Sequence, residues 1–414
     1  MKIIIAGSIK FPARNGQAVF TENLASGLAN LGHEILSISP SESTHSYSTF
    51  RNSVRIEAIK SIDLTKIHPD AYTSFFSKRE VEKIIRDFKP EIIHIQDHFP
   101  LSRDVISAAK NKHIPMIGTN HFMPENFAAF APWLSNLPLY KKAMWHGMLS
   151  AYNLLNVVTA QSNASAALMQ KYGLNIPVFK VSCGIDFKSF SPSPKINKTE
   201  SRIKFGIHPQ KITLLFVGRV DHEKKLDILI KAINQINRDD IQLVIAGIGR
   251  AKAELEQLAN ELNLSNKVIF TGYIPTSDLP ELIKCADLFT MPSEAELLSI
   301  ATIEAMACGL PILVADAVAL PELVLEGQNG FTFEPGNYQE ASKKIEMFCA
   351  QREKWPAMGA VSLARSRYHS LDTALEQYVK IYSRTVNGYY PGNNLQNLPV
   401  KNSGTDLQPS AKNN

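Results

Sequence analysis

The chain alternates short apolar stretches of strand length with longer stretches of helical periodicity. It begins with an apolar stretch at Lys2–Ala6, and apolar residues then recur at helical spacing across Gln17–Leu31. Parallel strands need crossover helices, so this alternation predicts a parallel sheet with helices on both faces. Further first-half predictions are strands Glu34–Ile38, Ile92–Ile95, Ile114–Gly118, Val157–Ala160 and Val178–Val181, and helices Glu80–Phe88 and Val105–Asn111.

The same alternation restarts after Ser191–Pro194, a Ser- and Pro-rich stretch that we interpret, with the polar run to Arg202, as a linker. A length of 414 residues suits two to three domains. We predict doubly wound domains at 1–195 and 196–370, a C-terminal helix at 371–386 and a disordered tail at 387–414. The second series comprises strands Ile212–Val217, Gln242–Ala246, Val268–Thr271, Leu288–Met291 and Pro311–Val314, and helices Leu226–Ile236, Ala251–Leu262, Asp278–Cys285 and Ile300–Cys308.

The composition excludes several classes of protein. With 44% apolar and 20% charged residues it is typical of a soluble globular chain, not of a disordered or collagen-like one. The sequence contains no apolar run of about 18 residues, so we expect no membrane-spanning helix, and the apolar start is too short for a signal peptide. The four cysteines are far apart and form no CxxC pair, which predicts buried, reduced thiols in a cytoplasmic protein.

The charge is distributed unevenly between the two halves. Residues 1–200 hold 22 Lys and Arg against 15 Asp and Glu, whereas residues 201–414 hold 22 against 24. A basic first half suits an anionic partner such as an anionic membrane surface, and the alternative is a basic face that simply contacts water. We expect no nucleic-acid partner, and the sequence does not fix an oligomeric state.

Two glutamates stand out in the segment Pro292–Pro311. Glu296 precedes a predicted helix that starts near Ser299, and Glu304 lies inside that helix among apolar neighbours. Unpaired backbone N–H groups at a helix N-terminus receive phosphate or sugar hydroxyls well. A carboxylate among apolar residues needs a partner, and a ribose hydroxyl pair could supply one for Glu304. The alternative is a surface or capping glutamate.

A second segment, Phe216–Asp227, places cations at the end of a strand. Gly218 ends the strand, and Arg219 and Lys224 follow ahead of a helix. Two cations together with helix-terminal N–H groups can neutralise a departing diphosphate. The alternative is an ordinary basic surface loop.

Residues with a possible role also follow strands of the first half. Gly16 lies where the first loop meets the first helix, and a glycine there allows a phosphate or acceptor to approach the backbone. His121 follows a short strand, and a histidine at such a strand end can donate to developing charge. His98 follows the preceding strand and could line the acceptor side. His94 and His98 lie on either side of a strand end, and no Asp-x-Asp occurs, so we predict no metal site.

These motifs together resemble retaining glycosyltransferases of family 4, which have the GT-B fold. The Glu-x7-Glu pattern followed by Ala-Met-Ala-Cys-Gly-x-Pro carries most of the resemblance, and Gly-Arg-x-x-x-Glu-Lys supports it. The resemblance implies two Rossmann-like domains facing a central cleft, with a last helix that crosses back to the first domain. It implies that Glu296 contacts the donor hexose, Glu304 the nucleotide ribose, Arg219 and Lys224 the diphosphate, and that His121 acts near the anomeric carbon.

The resemblance also marks further residues and two departures from the family pattern. Phe270–Ile274 resembles the loop that holds the nucleobase through backbone groups, which makes Tyr273 and Ile274 candidate substrate contacts. The family usually has Gly-Phe-Gly where this chain has Leu297-Leu298-Ser299, so these three residues are candidate contacts that bear on which hexose fits. Lys225 replaces a usual glycine. Asn120–Asn126 resembles a subset of the family that acts on diacylglycerol-type lipids.

We therefore predict a retaining, metal-independent hexosyltransferase that needs no cofactor beyond its nucleotide-diphosphate sugar donor, with UDP-glucose favoured. The expected acceptor is a diacylglycerol-type membrane lipid, and the expected location is the cytoplasm, at the inner face of the membrane if the acceptor is a lipid. Two alternatives stay open. One is a transferase for a soluble or polysaccharide acceptor, and the other is a catalytically idle module that binds nucleotide sugar.

Overall fold

The first half of the chain forms an eight-stranded sheet with the order β10-β9-β8-β7-β1-β2-β4-β3. All neighbouring strands are parallel except the edge pair β3 and β4. Two further short strands, β5 and β6, pair with each other. The strands are β1 (Lys2–Ala6), β2 (Glu34–Pro40), β3 (Tyr47–Arg51), β4 (Val54–Ile59), β5 (Ile62–Asp63), β6 (Tyr72–Thr73), β7 (Ile92–Ile95), β8 (Met116–Asn120), β9 (Val157–Ala160) and β10 (Val178–Lys180).

The second half forms a six-stranded parallel sheet with the order β13-β12-β11-β14-β15-β16. In both sheets the strand order reverses beside the first strand, β1 or β11, and the loops on either side of that point can enclose a ligand. The prediction of two doubly wound α/β sheets is therefore confirmed. The strands are β11 (Ile212–Val217), β12 (Ile241–Ala246), β13 (Val268–Gly272), β14 (Leu288–Met291), β15 (Ile312–Ala315) and β16 (Gly330–Phe333).

Helices cover both faces of each sheet, as the alternation predicts. This computed structural model describes residues 1–8, 16–64, 72–124, 138–193 and 196–388. Most of the predicted first loop, Glu125 and Asn126, and the predicted tail from residue 389 lie outside these ranges. The α-helices are α1 (Gly16–Asn30), α2 (Lys78–Phe88), α3 (Pro100–Lys110), α4 (Pro138–Tyr152), α5 (Asn163–Lys171), α6 (Lys198–Lys204), α7 (Leu226–Gln235), α8 (Lys252–Glu261), α9 (Leu279–Lys284), α10 (Ile300–Ala307), α11 (Tyr338–Ala350), α12 (Trp355–Ser366) and α13 (Leu371–Val386).

Several elements escape the apolar periodicity. All five residues of β3 are exposed, so this edge strand has no buried face that would give an apolar pattern. The interpretation of the polar run before Arg202 as a linker is wrong in part, because α6 begins inside it. The side chain of Asn197 caps α6 by accepting from the N–H groups of Thr199 and Glu200.

The sequence of α4 sets Lys141, Lys142 and Trp145 among apolar residues, a pattern that suits either a membrane-interface helix or a core helix. Trp145 and Met148 are fully buried, and Trp145 stacks on Tyr172 with ring centroids 4.5 Å apart. The body of α4 is therefore part of the core. Among the residues described above, no helix is long and apolar enough to cross a membrane. The four cysteines are buried and unpaired, as predicted.

The C-terminal helix α13 packs on the first sheet through a buried polar network. Tyr382 Oη lies 2.8 Å from His94 Nδ1, and Thr119 Oγ1 lies 2.7 Å from His94 Nε2. Tyr378 Oη contacts the hydroxyls of Thr119 and Thr159 at 3.1 and 3.2 Å. Burial lowers the pKa of His94 well below its ordinary value, so the ring is neutral. These bonds join the end of the chain to β7, β8 and β9.

The chain crosses between the two sheets at residues 182–186, which lie against the segment that leads into α13. Ile185 N–H donates to His369 O at 2.9 Å, and Leu371 N–H donates to Ile185 O at 3.0 Å. Gly184 has φ +71°, and a Cβ there would lie 2.9 Å from Leu371 Cα. Only glycine fits this crossing without displacing backbone. The bounds predicted for the two domains stay predictions.

Replacing Tyr382 by Phe should destabilise the protein by about 1–3 kcal/mol, because the buried His94 Nδ1 loses its hydrogen bond to Tyr382 while the ring packing is kept. The measurement is the free energy of unfolding in urea. Tyr368→Phe, at a residue that is 37% exposed, is the matched control and should leave stability unchanged. Equal stability of both variants would contradict a structural role for this network.

Candidate active site

An ion pair spans the point where the strand order of the second sheet reverses. Lys224 follows β11 and Glu296 follows β14, and Lys224 Nζ lies 2.5 Å from Glu296 Oε1. Both side chains are largely buried, with 15% and 13% exposure. Burial by itself lowers the pKa of Lys224, but the carboxylates of Glu296 and Glu223 together outweigh it, so the pKa lies above its ordinary value. The two residues that the sequence pairs only by motif thus meet as charged groups.

Arg219 extends this cluster toward solvent. Its guanidinium donates to Asp221 Oδ2 at 2.8 Å and also contacts the Glu223 carboxylate, while its side chain is 47% exposed. Asp221 is buried and accepts the N–H of Arg250 at 2.9 Å, which fixes the loop. Both predicted phosphate-binding cations therefore lie beside carboxylates. An incoming anion would compete with these carboxylates for a site that is already folded.

The turn that presents Lys224 explains why the family usually has glycine at the next position. Lys225 has φ +53°, in the left-handed region that costs a non-glycine residue about 1–2 kcal/mol. The turn therefore keeps its conformation despite the substitution. Gly247 and Gly249 hold the neighbouring loop against it, since a Cβ on Gly247 would lie 1.8 Å from Gly218 O.

The segment Leu297–Ser299 leads into α10. Leu297 and Leu298 are 7% and 6% exposed, and Leu298 packs in the hydrophobic core that contains the second sheet. Their side chains therefore fix the segment to the protein. Ser299 is the N-cap, and its Oγ accepts from Thr302 N at 3.3 Å. What these three residues can offer a ligand is mainly backbone N–H groups. Gly16 faces this helix across the cleft, because a Cβ on Gly16 would lie 3.8 Å from Ile300 Cδ1.

Glu304 is half-buried, and its carboxyl group has no partner from the described part of the chain. Within the described part of the chain no group donates a hydrogen bond to it or forms an ion pair with it, and burial raises its pKa to about 8. Its carboxylate also adds to burial in raising the pKa of Cys183 to about 12, which places Glu304 near the segment that crosses between the sheets. A carboxyl group held in this way lacks the partner that a ligand hydroxyl could supply.

The predicted nucleobase loop follows β13. Tyr273 is 51% exposed, whereas the partly buried Ile274 packs against the main core. Gly272 has φ +71° and turns the chain out of the strand. The loop thus has a fixed base and an accessible aromatic ring. The carboxyl ends of β11, β13 and β14 together bring the donor-side candidates to one edge.

On the side of the first sheet, His121 is held by two amides. Its Nε2 lies 2.8 Å from Gln96 Oε1, and Gln161 Nε2 lies 2.7 Å from its Nδ1. The Phe20 ring packs on the imidazole with centroids 4.6 Å apart. Burial lowers the pKa of His121 to about 3, so the ring is neutral, with its proton on Nε2 toward Gln96. The histidine is fixed in orientation and does not titrate near neutral pH.

His98 and its neighbours leave several polar atoms unsatisfied at the same edge. The His98 ring stacks on Phe99 with centroids 4.5 Å apart, and burial lowers its pKa to about 4. The buried atoms without a hydrogen-bond partner include Ser8 Oγ, Gln96 Nε2, His98 Nδ1 and Asn120 Nδ2. Because they follow β1 or β7 or end β8, they lie where a polar ligand of the first domain would bind.

The sequence analysis missed Asp97, which organises this edge. Its buried carboxylate accepts from Ser8 N at 2.5 Å and Gln17 Nε2 at 3.1 Å on one oxygen. The other oxygen accepts from Phe99 N at 3.1 Å and Ser102 Oγ at 2.6 Å. Asp97 thereby joins the loops after β1 and β7, the point where the first sheet reverses its strand order. An acidic residue two positions after a buried strand was the available signal. Among the described residues no group of three or more His, Cys, Asp or Glu is placed to hold a metal ion.

Comparisons with known proteins match both halves of the chain. Residues 14–189 match Glycosyltransferase Family 4, and residues 197–360 match Glycosyl transferases group 1. The alpha-monoglucosyldiacylglycerol synthase of Streptococcus pneumoniae is 26% identical over 374 residues, which cover 89% of this chain and 82% of that protein. The sulfoquinovosyl transferase SQD2 of Arabidopsis thaliana is 27% identical over 290 residues, which cover 68% of this chain but only 54% of that relative.

Solved structures match the architecture. HepE of Anabaena in complex with UDP superposes with a TM-score of 0.73 at 20% identity, covering 92% of this chain and 100% of that chain. At this identity the likeness shows the fold. The roles of individual residues rest on the geometry above.

Replacing Glu304 by Gln should change how stability depends on pH. Its folded pKa of about 8 exceeds the ordinary value of 4.5, so over this interval the unfolded state loses its proton first and wild-type stability falls as pH rises. The Gln variant lacks this fall and should gain about 2–4 kcal/mol relative to wild type between the two ends of that interval. Urea unfolding across the pH range measures it, with the exposed Glu376→Gln as control. Parallel pH curves for wild type and Glu304→Gln would contradict a buried, unpartnered carboxyl.

Proposed function

Because the chain belongs to the glycosyltransferase family 4 and group 1 glycosyl transferases, we propose that it moves a hexose from a nucleotide-diphosphate sugar of the UDP-glucose type to the hydroxyl of a diacylglycerol-type membrane lipid, with retention at the anomeric carbon. The chain is a glycosyltransferase of GT-B architecture, as predicted. The observation that carries the proposed reaction is the buried Lys224–Glu296 pair at the carboxyl edge of the second sheet.

The donor diphosphate would bind at Arg219 and Lys224. Breaking the glycosidic bond leaves negative charge on the departing phosphate, and fixed cations in a partly buried site stabilise that charge. Lys224 is held at the site by Glu296, and Arg219 reaches it from the exposed side. Positive side chains here would do the work that a divalent metal does in other transferases, so we propose that transfer needs no metal.

The sugar and the ribose would engage the two glutamates. Glu296 lies beside Lys224, so a hexose hydroxyl bound to its carboxylate would sit next to the leaving diphosphate. The Glu304 carboxyl has no partner among the described residues, and a ribose hydroxyl pair would supply one. Backbone N–H groups at the start of α10 would add contacts to sugar hydroxyls. UDP in the related HepE structure supports a uridine nucleotide as the first donor to test.

His121 would act next to the anomeric carbon as a neutral group. Gln96 and Gln161 hold its ring, so it is preorganised and costs little reorganisation during the reaction. For retention we propose attack by the acceptor on the face that the leaving group departs from, with the departing phosphate oxygen taking the acceptor proton. The acceptor hydroxyl would lie at the edge of the first sheet, near the unsatisfied atoms of Gln96, His98 and Asn120.

A lipid acceptor is supported by two independent observations. The Streptococcus pneumoniae relative is named for a glucosyldiacylglycerol product, and it matches 89% of this chain. The first half, which would bind the acceptor, carries 22 Lys and Arg against 15 Asp and Glu and so suits an anionic membrane surface. A lipid acceptor would bring the enzyme to the membrane face.

Lys224→Met and Glu296→Gln should each lower kcat for hexose transfer by about 100- to 1,000-fold, because each removes a charge or ligand that acts on the departing group. The measurement is product formation, by mass spectrometry, from a nucleotide-hexose panel with diacylglycerol in mixed micelles containing EDTA. Lys231→Met, which removes a half-exposed ion pair with Asp227, is the matched control. If both variants turn over as fast as wild type, the assignment is refuted. If the wild-type enzyme is active without EDTA but inactive with it, metal independence is refuted.

His121→Ala should lower kcat by about 100-fold or more without changing the shape of the pH profile between about pH 5 and 8. The reason is that His121, with a pKa of about 3, stays neutral throughout that range. The pH dependence of kcat/KM for the donor measures this, with the exposed His146→Ala as control. An acid limb near neutrality that disappears in His121→Ala would instead make His121 a titrating acid or base.

A further inference from the structure

Two phenylalanines project from the first domain where β6 leads into α2. Phe75 is 46% exposed and Phe76 is 98% exposed. Phe76 also has φ +56°, a left-handed conformation that is unfavourable for a large side chain. The two rings lie 6.4 Å apart, so neither finds much cover in the other. We refer to Phe75 and Phe76 as the aromatic tip.

The residues on both sides hold the aromatic tip in place. Ser74 is buried and its Oγ donates to Ile59 O at 3.3 Å. Ser77 is buried as well, and its N–H and Oγ donate to Asp104 Oδ2 at 2.9 and 2.7 Å. The exposure of the rings is therefore built into an anchored turn. Such an anchored turn offsets both the backbone strain and the cost of exposing two aromatic rings to water.

Exposed cations surround the aromatic tip. Lys78 and Arg79 follow the aromatic tip after Ser77, Lys60 directly follows β4, and all three are exposed. Lys78 and Arg79 form no ion pair in the described parts of the chain. Aromatic rings flanked by unpaired cations match the interface of a bilayer, where rings enter the acyl boundary and cations meet anionic headgroups.

The topology places the aromatic tip at the same edge as the proposed acceptor site. A helix that connects two parallel strands starts at the carboxyl edge of the sheet and returns the chain to the opposite edge. Helix α2 leads into β7 in this way, so α2 starts at the carboxyl edge. Helices α2, α3 and α4 share one core cluster and so cover one face. Leu139, which is 79% exposed, lies in the first turn of α4 at that same edge and face. The aromatic tip and Leu139 thus lie at the same edge of the first sheet as the proposed acceptor site.

We propose that the aromatic tip, together with Lys78 and Arg79, inserts into the surface of an anionic lipid bilayer and presents the acceptor edge of the first domain to the membrane. The inference rests on the proposed lipid acceptor for its purpose, and it names the residues that contact the bilayer. Insertion of the rings moves apolar area out of water, and the cations add attraction to anionic headgroups.

The test is co-flotation of the full chain, without donor, with vesicles of equimolar phosphatidylglycerol and phosphatidylcholine. Phe75→Ser/Phe76→Asn should weaken binding by at least about tenfold, because two rings lose their apolar environment. Asn tolerates the left-handed backbone at position 76, so the fold should be kept, and the melting temperature checks this. Phe50→Ser, at a ring that is 73% exposed on β3, is the matched control and should bind like wild type.

A second pair of variants tests the charge. Lys78→Gln/Arg79→Gln should weaken binding by about fivefold per charge, and salt should weaken wild-type binding. The exposed Lys110 and Lys112, at the opposite edge of the same face, supply the control Lys110→Gln/Lys112→Gln. Wild-type binding by the variant of the aromatic tip, or no binding of wild type to the vesicles, would overturn the proposal. A different result would refute the lipid acceptor instead: wild type glycosylates no lipid, although Phe75→Ser/Phe76→Asn still loses vesicle binding.

A change of oligomeric state is the competing explanation. If Phe75→Ser/Phe76→Asn alters the sedimentation of the chain in the absence of vesicles and leaves flotation unchanged, the aromatic tip is an interface between copies of the chain and the proposal is wrong.

Discussion

The Lys224–Glu296 pair depends on a topological constraint that shapes the whole second domain. Between two parallel strands the chain must return to the edge where the first strand began. All loops that lead from a strand into a helix therefore lie at the carboxyl edge of the sheet. The strand order reverses between β11 and β14, which brings the two loops after these strands side by side. A largely buried cation and carboxylate 2.5 Å apart can exist there because each neutralises the other. The remaining donor-side groups are arranged around this pair.

The first domain also brings two loops together where its strand order reverses, but a different kind of interaction joins them. Its strand order reverses between β1 and β7, and there a carboxylate, Asp97, is satisfied by four neutral donors and not by a cation. The result is a rigid edge that carries neutral histidines and several unsatisfied polar atoms. In the proposed reaction, the charged edge would bind the anionic donor, and the edge with oriented neutral groups would bind the acceptor. This division suits a reaction in which only the leaving group carries away a charge.

The two domains are joined by contacts that differ in strength. The buried network around His94 fixes α13 to the first sheet, and Gly184 allows the crossing segment to lie against the start of α13. Farther along, Glu322 of the second domain accepts the N–H groups of Asn163 and Ala164 and pairs with Lys180 at 3.2 Å, with side chains that are partly exposed. The buried crossing suits a fixed pivot, and the partly exposed Glu322 contacts are those that a change of domain angle could break at small cost.

Much of the site follows from the sequence, because strand periodicity and glycine-bounded loops fix which residues lie at the carboxyl edges. That placement puts the candidates Arg219, Lys224, Glu296 and His121 at the carboxyl edges without coordinates, and the resemblance to the family marks Glu304 inside the following helix as a further candidate. The state of these groups depends on the fold: Lys224 is ion-paired, Glu304 has no partner among the described residues, and His121 is neutral between two glutamines. Asp97 and the aromatic tip also emerged only in three dimensions. Charge state and exposure depend on residues distant in sequence, which local periodicity does not encode.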